Sequence, residues 1–113
     1  MRNFKGLTIG NVNACHLRNK VDDVTVLIHS NPDKVHLFGV SETRLDANID
    51  DSLIHIQNYT VIRKDAEQKT GHTGLVVYIH DSIRHLIRRR NDFETDSVEA
   101  IWLELYQRKT TQA

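Results

Sequence analysis

The stretch that most limits what this chain can fold into is Val35-His36-Leu37-Phe38-Gly39-Val40, followed at once by Ser41-Glu42-Thr43-Arg44-Leu45. An apolar, β-favouring run bounded by Asn31-Pro32-Asp33 before it and Ser41-Glu42 after it reads as a strand, Val35–Val40, buried on both faces. Glu42 comes just past the end of that strand, where loops open onto a cleft. A carboxylate there either caps the next turn or is set for a ligand or metal.

The segment before it supplies the geometry. Leu7-Thr8-Ile9-Gly10-Asn11-Val12-Asn13 begins with period-2 alternation, which suits a strand stopping near Asn13. From Leu17 the period becomes helical: Leu17, Val21, Val24, Leu27 and Ile28 form one apolar stripe, with Arg18, Asn19, Asp22 and Asp23 opposite. Asn31-Pro32 ends the helix, because proline pushes the preceding residue out of the α region. Strand, helix and strand in this space make a βαβ unit with parallel strands and a right-handed crossover. Parallel strands put their C-terminal ends at one sheet edge, so Asn13 and Glu42 are expected to be neighbours where α/β sheets bind ligands. The other reading of Asn13 is a turn made with its own backbone.

Downstream, Asp46–Asp51 is polar and turn-like, and Ser52–Ile56 suits a short helical turn or an edge segment. Tyr59–Arg63 and Leu75–Ile79 are strands expected to pair antiparallel, joined by the charged loop Lys64–Thr70 and the glycine-flanked link Gly71–Gly74. Asp81–Arg90 fits either a strand or a short helix. A final strand is expected through Val98, Ile101, Leu103 and Leu105, with a frayed tail from Gln107. The chain reads as one α/β domain or part of one, with a modest core in its 113 residues.

Charge narrows the function classes. Fifteen basic and fifteen acidic residues cancel, so attraction to an anion must be local. No apolar run approaches the roughly 18 residues of a membrane span, and the N-terminus lacks a secretory h-region. One cysteine, Cys15, cannot staple a fold and points to a reducing compartment, nuclear or cytoplasmic. Cys15 is expected to pack as a small residue in the turn after the first strand. Seven histidines invite zinc, but their spacing builds none of the regular ligand sets. Gly71–Gly74 lacks the lysine of a phosphate loop. Arg84, Arg88, Arg89 and Arg90 make the one basic cluster. Such a run is usually a solvated face, although arginine forks match nucleic-acid phosphates well.

Six segments in order resemble the endonuclease/exonuclease/phosphatase superfamily, and more closely the nuclease domains of LINE-type (non-LTR) retrotransposons. They are Leu7–Asn13, Leu17–Val21, Ser41–Leu45, Tyr59–Asp65, Gly74–Ile79 and Val98–Leu105. The resemblance implies a four-layered α/β sandwich that cleaves phosphodiesters with a divalent metal. It implies that Glu42 binds Mg2+, or Mn2+ in its place, and that Asn13 hydrogen-bonds around the metal and the scissile phosphate. Glu99 matches a recurrent family glutamate, for which a structural role is expected.

The family's remaining catalytic groups, a tyrosine, an aspartate–asparagine pair and an aspartate–histidine pair, lie further along than this sequence runs. The expectation is therefore an N-terminal portion, residues 1–113, with the C-terminal half of the sandwich absent and catalysis incomplete. Its partners would be DNA and the missing half or the reverse transcriptase region of a longer protein. The alternative is an inactive transposon-derived fragment or a nucleic-acid- or protein-binding module using the Arg84–Arg90 face.

Overall fold

Residues 6–106 are described by a computed structural model, with mixed α and β content. The first strand, β1 (Ile9–Asn13), leads through a 3-10 turn at Leu17–Asn19 into helix α1 (Val21–His29) and then β2 (Leu37–Ser41). β3 (Tyr59–Lys64) and β4 (Leu75–His80) follow, and the short strands β5 (Ile87–Arg89) and β6 (Leu103–Leu105) close the chain. Four strands form one mixed sheet in the order β1-β2-β4-β3, while β5 and β6 make a separate ribbon. β1 and β2 run parallel, with Asn13 opposite Ser41. β2 pairs antiparallel with β4, and β4 with β3. The expected parallel unit and hairpin are both present.

The sheet has two unlike faces. On the α1 side, Phe38 and Val40 of β2 and Val76 and Tyr78 of β4 pack with Val24 and Ile28 of the helix. Leu17, Leu45, Ile54 and Ile56 close this core from the loops. The two tyrosines stay buried because their hydroxyls donate to main-chain carbonyls, Tyr59 to Val35 at 2.6 Å and Tyr78 to Ile54 at 2.7 Å. On the far side, Ile62 and Ile79 meet Ile83 and Ile87, so a second core covers the β3–β4 half of that face. The β1–β2 half is covered only in part: Leu7 and Leu37 pack against this second core, while Ile9 is 66% exposed. A shallow groove of about 260 Å³ lies there, lined by Asn11, Gly39, Ser41, Leu75, Val77 and Ile101 among others.

Several sequence expectations shift against this picture. β2 is not buried on both faces: Phe38 and Val40 are covered, whereas Leu37, Gly39 and Ser41 are only half-buried. An apolar run does not reveal whether a second layer covers the sheet. The strand begins at Leu37, and His36 just before it is already tied to both neighbours: its N–H donates to Thr8 O, its carbonyl accepts from the His80 N–H, and its Nδ1 accepts the Thr8 N–H. The helix begins at Val21, so Leu17 reaches the core from a 3-10 turn. Leu27 leaves the stripe and is 49% exposed, since one face of a nine-residue helix is enough to cover this part of the sheet.

The ambiguous downstream segments resolve in physical terms. Asp51–Ile54 is a 3-10 turn whose cap, Asp50, accepts from the Ser52 N–H. Asp81–Arg90 is both things in turn, a 3-10 helix over Asp81–Leu86 and then β5. The final strand contracts to Leu103–Leu105, the only part of Val98–Leu105 that finds a partner in β5. The tail from Gln107 lies outside the described residues. Among the described residues, no helix is long and apolar enough to cross a membrane.

Candidate functional site

Asn13 and Glu42 lie 29 positions apart in sequence and meet at the C-terminal edge of β1 and β2, where Asn13 Nδ2 donates to Glu42 Oε2. The register explains this meeting: Asn13 pairs with Ser41, so the residue after Ser41 turns its side chain over the neighbouring strand end. Asn13 is exposed and Glu42 half-buried, so the carboxylate is accessible from solvent.

The turn that carries Glu42 is unusual. Glu42 has φ +53° and Arg44 φ +58°, left-handed conformations that a Cβ disfavours. The facing turn after β1 does the same at Cys15, φ +51°, and His16, φ +84°. Non-glycine residues persist there only when their surroundings over-determine them, and they cluster at working sites. The surroundings here are main-chain bonds. Ala14, His16 and Leu17 donate their N–H groups to the carbonyls of Ser41, Glu42 and Thr43, each at 3.0 Å. From the other side, Thr43 N–H donates to Gly74 O at 3.2 Å and Arg44 N–H to Thr73 O at 2.9 Å. Thr43 is 1% exposed, and Gly74, φ +103°, passes so close that a Cβ would lie 2.3 Å from Thr43 Oγ1. Only glycine fits this crossing.

Cys15 is exposed rather than packed, because its left-handed backbone turns it outward from the loop while Ala14 and Leu17 supply the buried contacts. In the glycine-flanked link, Gly71 lies in a turn and Gly74 in irregular chain just before β4, both at positive φ.

The arginine cluster does not form one basic face. Arg89 forks onto Glu94 at 2.8 and 2.9 Å, and Arg90 forks onto Asp92 at 2.7 and 2.9 Å and reaches Glu104 at 3.1 Å. Arg84 donates to the Ile87 carbonyl and Arg88 to the Tyr106 hydroxyl, so these two have no carboxylate partner among the described residues. The Arg89 bond holds the Glu94 carboxyl below the ordinary 4.5, against the cost of burial. A run of like charges in sequence is thus divided in space, with Arg89 and Arg90 paired to carboxylates and Arg84 and Arg88 not.

Arg63 carries more of the architecture than its sequence position suggests. It donates to both Asp65 carboxylate oxygens, to Asp51, and to the carbonyls of Asp46 and Ile49, pinning the polar loop after Leu45. Two of the five bonds reach Asp65 two residues on, but the three to Asp46, Ile49 and Asp51 span 12 to 17 positions, and only the fold reveals those.

In chemical terms the edge offers one carboxylate oriented by one amide. Among the described residues, no group of three or more His, Cys, Asp or Glu side chains gathers to hold a metal. One carboxylate alone could hold a hard cation only loosely, with most of its waters kept. With one Nδ2–H donated to Glu42, Asn13 keeps a second Nδ2–H as donor and Oδ1 as acceptor. Comparison with known protein families, curated proteins and solved structures gives no match.

Proposed function

We propose that this chain is the N-terminal part of a metal-dependent phosphodiester-cleaving domain of the endonuclease/exonuclease/phosphatase type, nearest to the LINE-type retrotransposon nucleases. The observation that carries the reading is the contact between Asn13, at the end of β1, and Glu42, in a left-handed turn after β2, at the sheet edge where α/β folds bind ligands. Glu42 would hold Mg2+, or Mn2+ in its place, and Asn13 would orient the carboxylate and meet a phosphate oxygen or a coordinated water. The cation, when bound, neutralises charge developing on the phosphate and leaving oxygen.

Hydrolysis also needs a base to activate water. The reading assigns that group, and the second sheet of a four-layered sandwich, to a longer domain in which the partly open β1–β2 face is covered. The phosphodiester is expected to be DNA. Arg84 and Arg88 remain available to backbone phosphates.

Two assays of the purified chain test this reading together. A fluorescent oligonucleotide should bind more tightly with Mn2+ than with EDTA, and the difference should vanish in Glu42→Ala. Plasmid nicking with Mg2+ or Mn2+ should stay at the level of Glu42→Ala, since the proposal assigns the base to a longer domain. Binding indifferent to both Mn2+ and Glu42 refutes the cation site. Cation-dependent nicking that requires Glu42 refutes the incompleteness.

A further inference from the structure

The half-buried carboxylate of Glu99 reaches across 25 residues of sequence to the main chain before β4. Its Oε2 accepts the Gly74 N–H at 2.5 Å, and its Oε1 accepts from the Thr73 hydroxyl at 3.5 Å. The same two residues present their carbonyls to the Glu42 turn, Gly74 O to Thr43 N–H and Thr73 O to Arg44 N–H. A continuous path of hydrogen bonds therefore runs from Glu99 through the Thr73–Gly74 peptide to the residues that follow Glu42.

We infer that Glu99 is a positioning residue for Glu42, acting through the Thr73–Gly74 strap to hold the Glu42 turn left-handed and its carboxylate on Asn13. This rests on the reading of Glu42 as the cation ligand. Three observations support it beyond the bonds themselves. Both flanks of Thr43 carry positive φ, so the turn needs restraint from outside its own sequence. Gly74 sits against Thr43 Oγ1 with no room for a side chain, so the strap has one seat. A carboxylate accepting a main-chain N–H makes a stronger bond than a neutral acceptor, which suits a restraint working against strain. The hydrogen bonds of Glu99 go to Thr73 and Gly74 and not to Asn13 or Glu42, so its effect on the site is indirect.

Amide hydrogen exchange and Mn2+ line broadening, read by NMR on the full chain and on Glu99→Ala and Glu99→Gln, test the inference. In Glu99→Ala the protection of the Thr43 and Arg44 amides should fall roughly tenfold or more, the scale of a lost hydrogen bond to a charged group. The β3–β4 amides should keep theirs, and the Asn13 side-chain amide signal should move as Glu42 leaves it. Glu99→Gln keeps an acceptor for Gly74 and should lose less at both amides. Mn2+ broadening at Asn13 and Glu42 should weaken in the same order.

Unchanged exchange at Thr43 and Arg44 in Glu99→Ala overturns the inference. If Glu99→Ala fails to fold, wild-type exchange at both amides in Glu99→Gln overturns it, and a selective loss there supports it. An exchange effect without Mn2+ broadening in the wild type leaves the positioning standing and refutes the cation reading alone.

Discussion

Glycine should be better tolerated than alanine at position 42, the reverse of the usual order. Both substitutions remove the same carboxylate and the same Asn13 contact, so that loss cancels in the comparison. What differs is the backbone. Glu42 sits at φ +53°, where a Cβ costs roughly 1–2 kcal/mol and glycine nothing. Against this, glycine has more freedom to lose on folding, about 0.5–1 kcal/mol. The balance leaves Glu42→Gly more stable than Glu42→Ala by about 0.5–1 kcal/mol. In urea unfolding with equal slopes, the glycine midpoint should lie about 0.5 M above the alanine midpoint. Alanine matching or exceeding glycine would falsify the claim that the Glu42 turn stores backbone strain.

Gly74→Ala should be far worse, because a Cβ there meets both an unfavourable φ of +103° and the Thr43 hydroxyl oxygen at 2.3 Å. A loss of about 3 kcal/mol in denaturant unfolding is expected, combining backbone strain with forced repacking. Arg63→Met should cost about 2–3 kcal/mol, since it strands the Ile49 and Asp46 carbonyls and releases Asp65 and Asp51. A change below 0.5 kcal/mol, the range of an ordinary surface substitution, would show that the loop after Leu45 holds without it.

His80 supplies a pH dependence. Burial first, and then the positive charge of Lys34, hold its imidazole below the ordinary 6.5, with His36 adding in the same sense and Asp81 opposing. Its neutral Nδ1 accepts the Ser82 N–H, and its ring packs edge-on against Tyr59 at 5.1 Å. The folded pKa lies below the unfolded one, so this contribution is full above pH 6.5 and fades as pH falls through the window beneath it. Thermal unfolding of wild type and His80→Gln between pH 7.5 and 5 should converge toward the acid end. Parallel curves would exclude the histidine as the source.

The parts of the fold written in local periodicity were legible: the β1–α1–β2 unit, the β3–β4 hairpin and the meeting of Asn13 with Glu42. That last inference needed only strand direction, because parallel pairing fixes which ends share an edge. What sequence could not give was the environment each pattern meets. Leu27 keeps helical spacing but is 49% exposed, and β2 is only partly covered on one face, because neither pattern shows how far the neighbouring elements reach. Arg88, Arg89 and Arg90 look like one basic patch until strand alternation and Glu94, Asp92 and Glu104 divide them. The roles of Arg63 and Glu99 depend on contacts across loops, and no spacing rule encodes those. The left-handed turns were equally hidden, since Glu, Arg, Cys and His carry no preference for positive φ comparable to glycine's.

Titration of the labelled chain with Mn2+, followed by NMR line broadening, asks whether Glu42 and Asn13 hold a cation. The account predicts that the Glu42 amide and the Asn13 backbone and side-chain amides broaden first. Excess Mg2+ should reverse the effect, and Glu42→Gln should abolish it. Broadening that begins elsewhere, for example over Asp46–Asp51, or that survives Glu42→Gln, would contradict it.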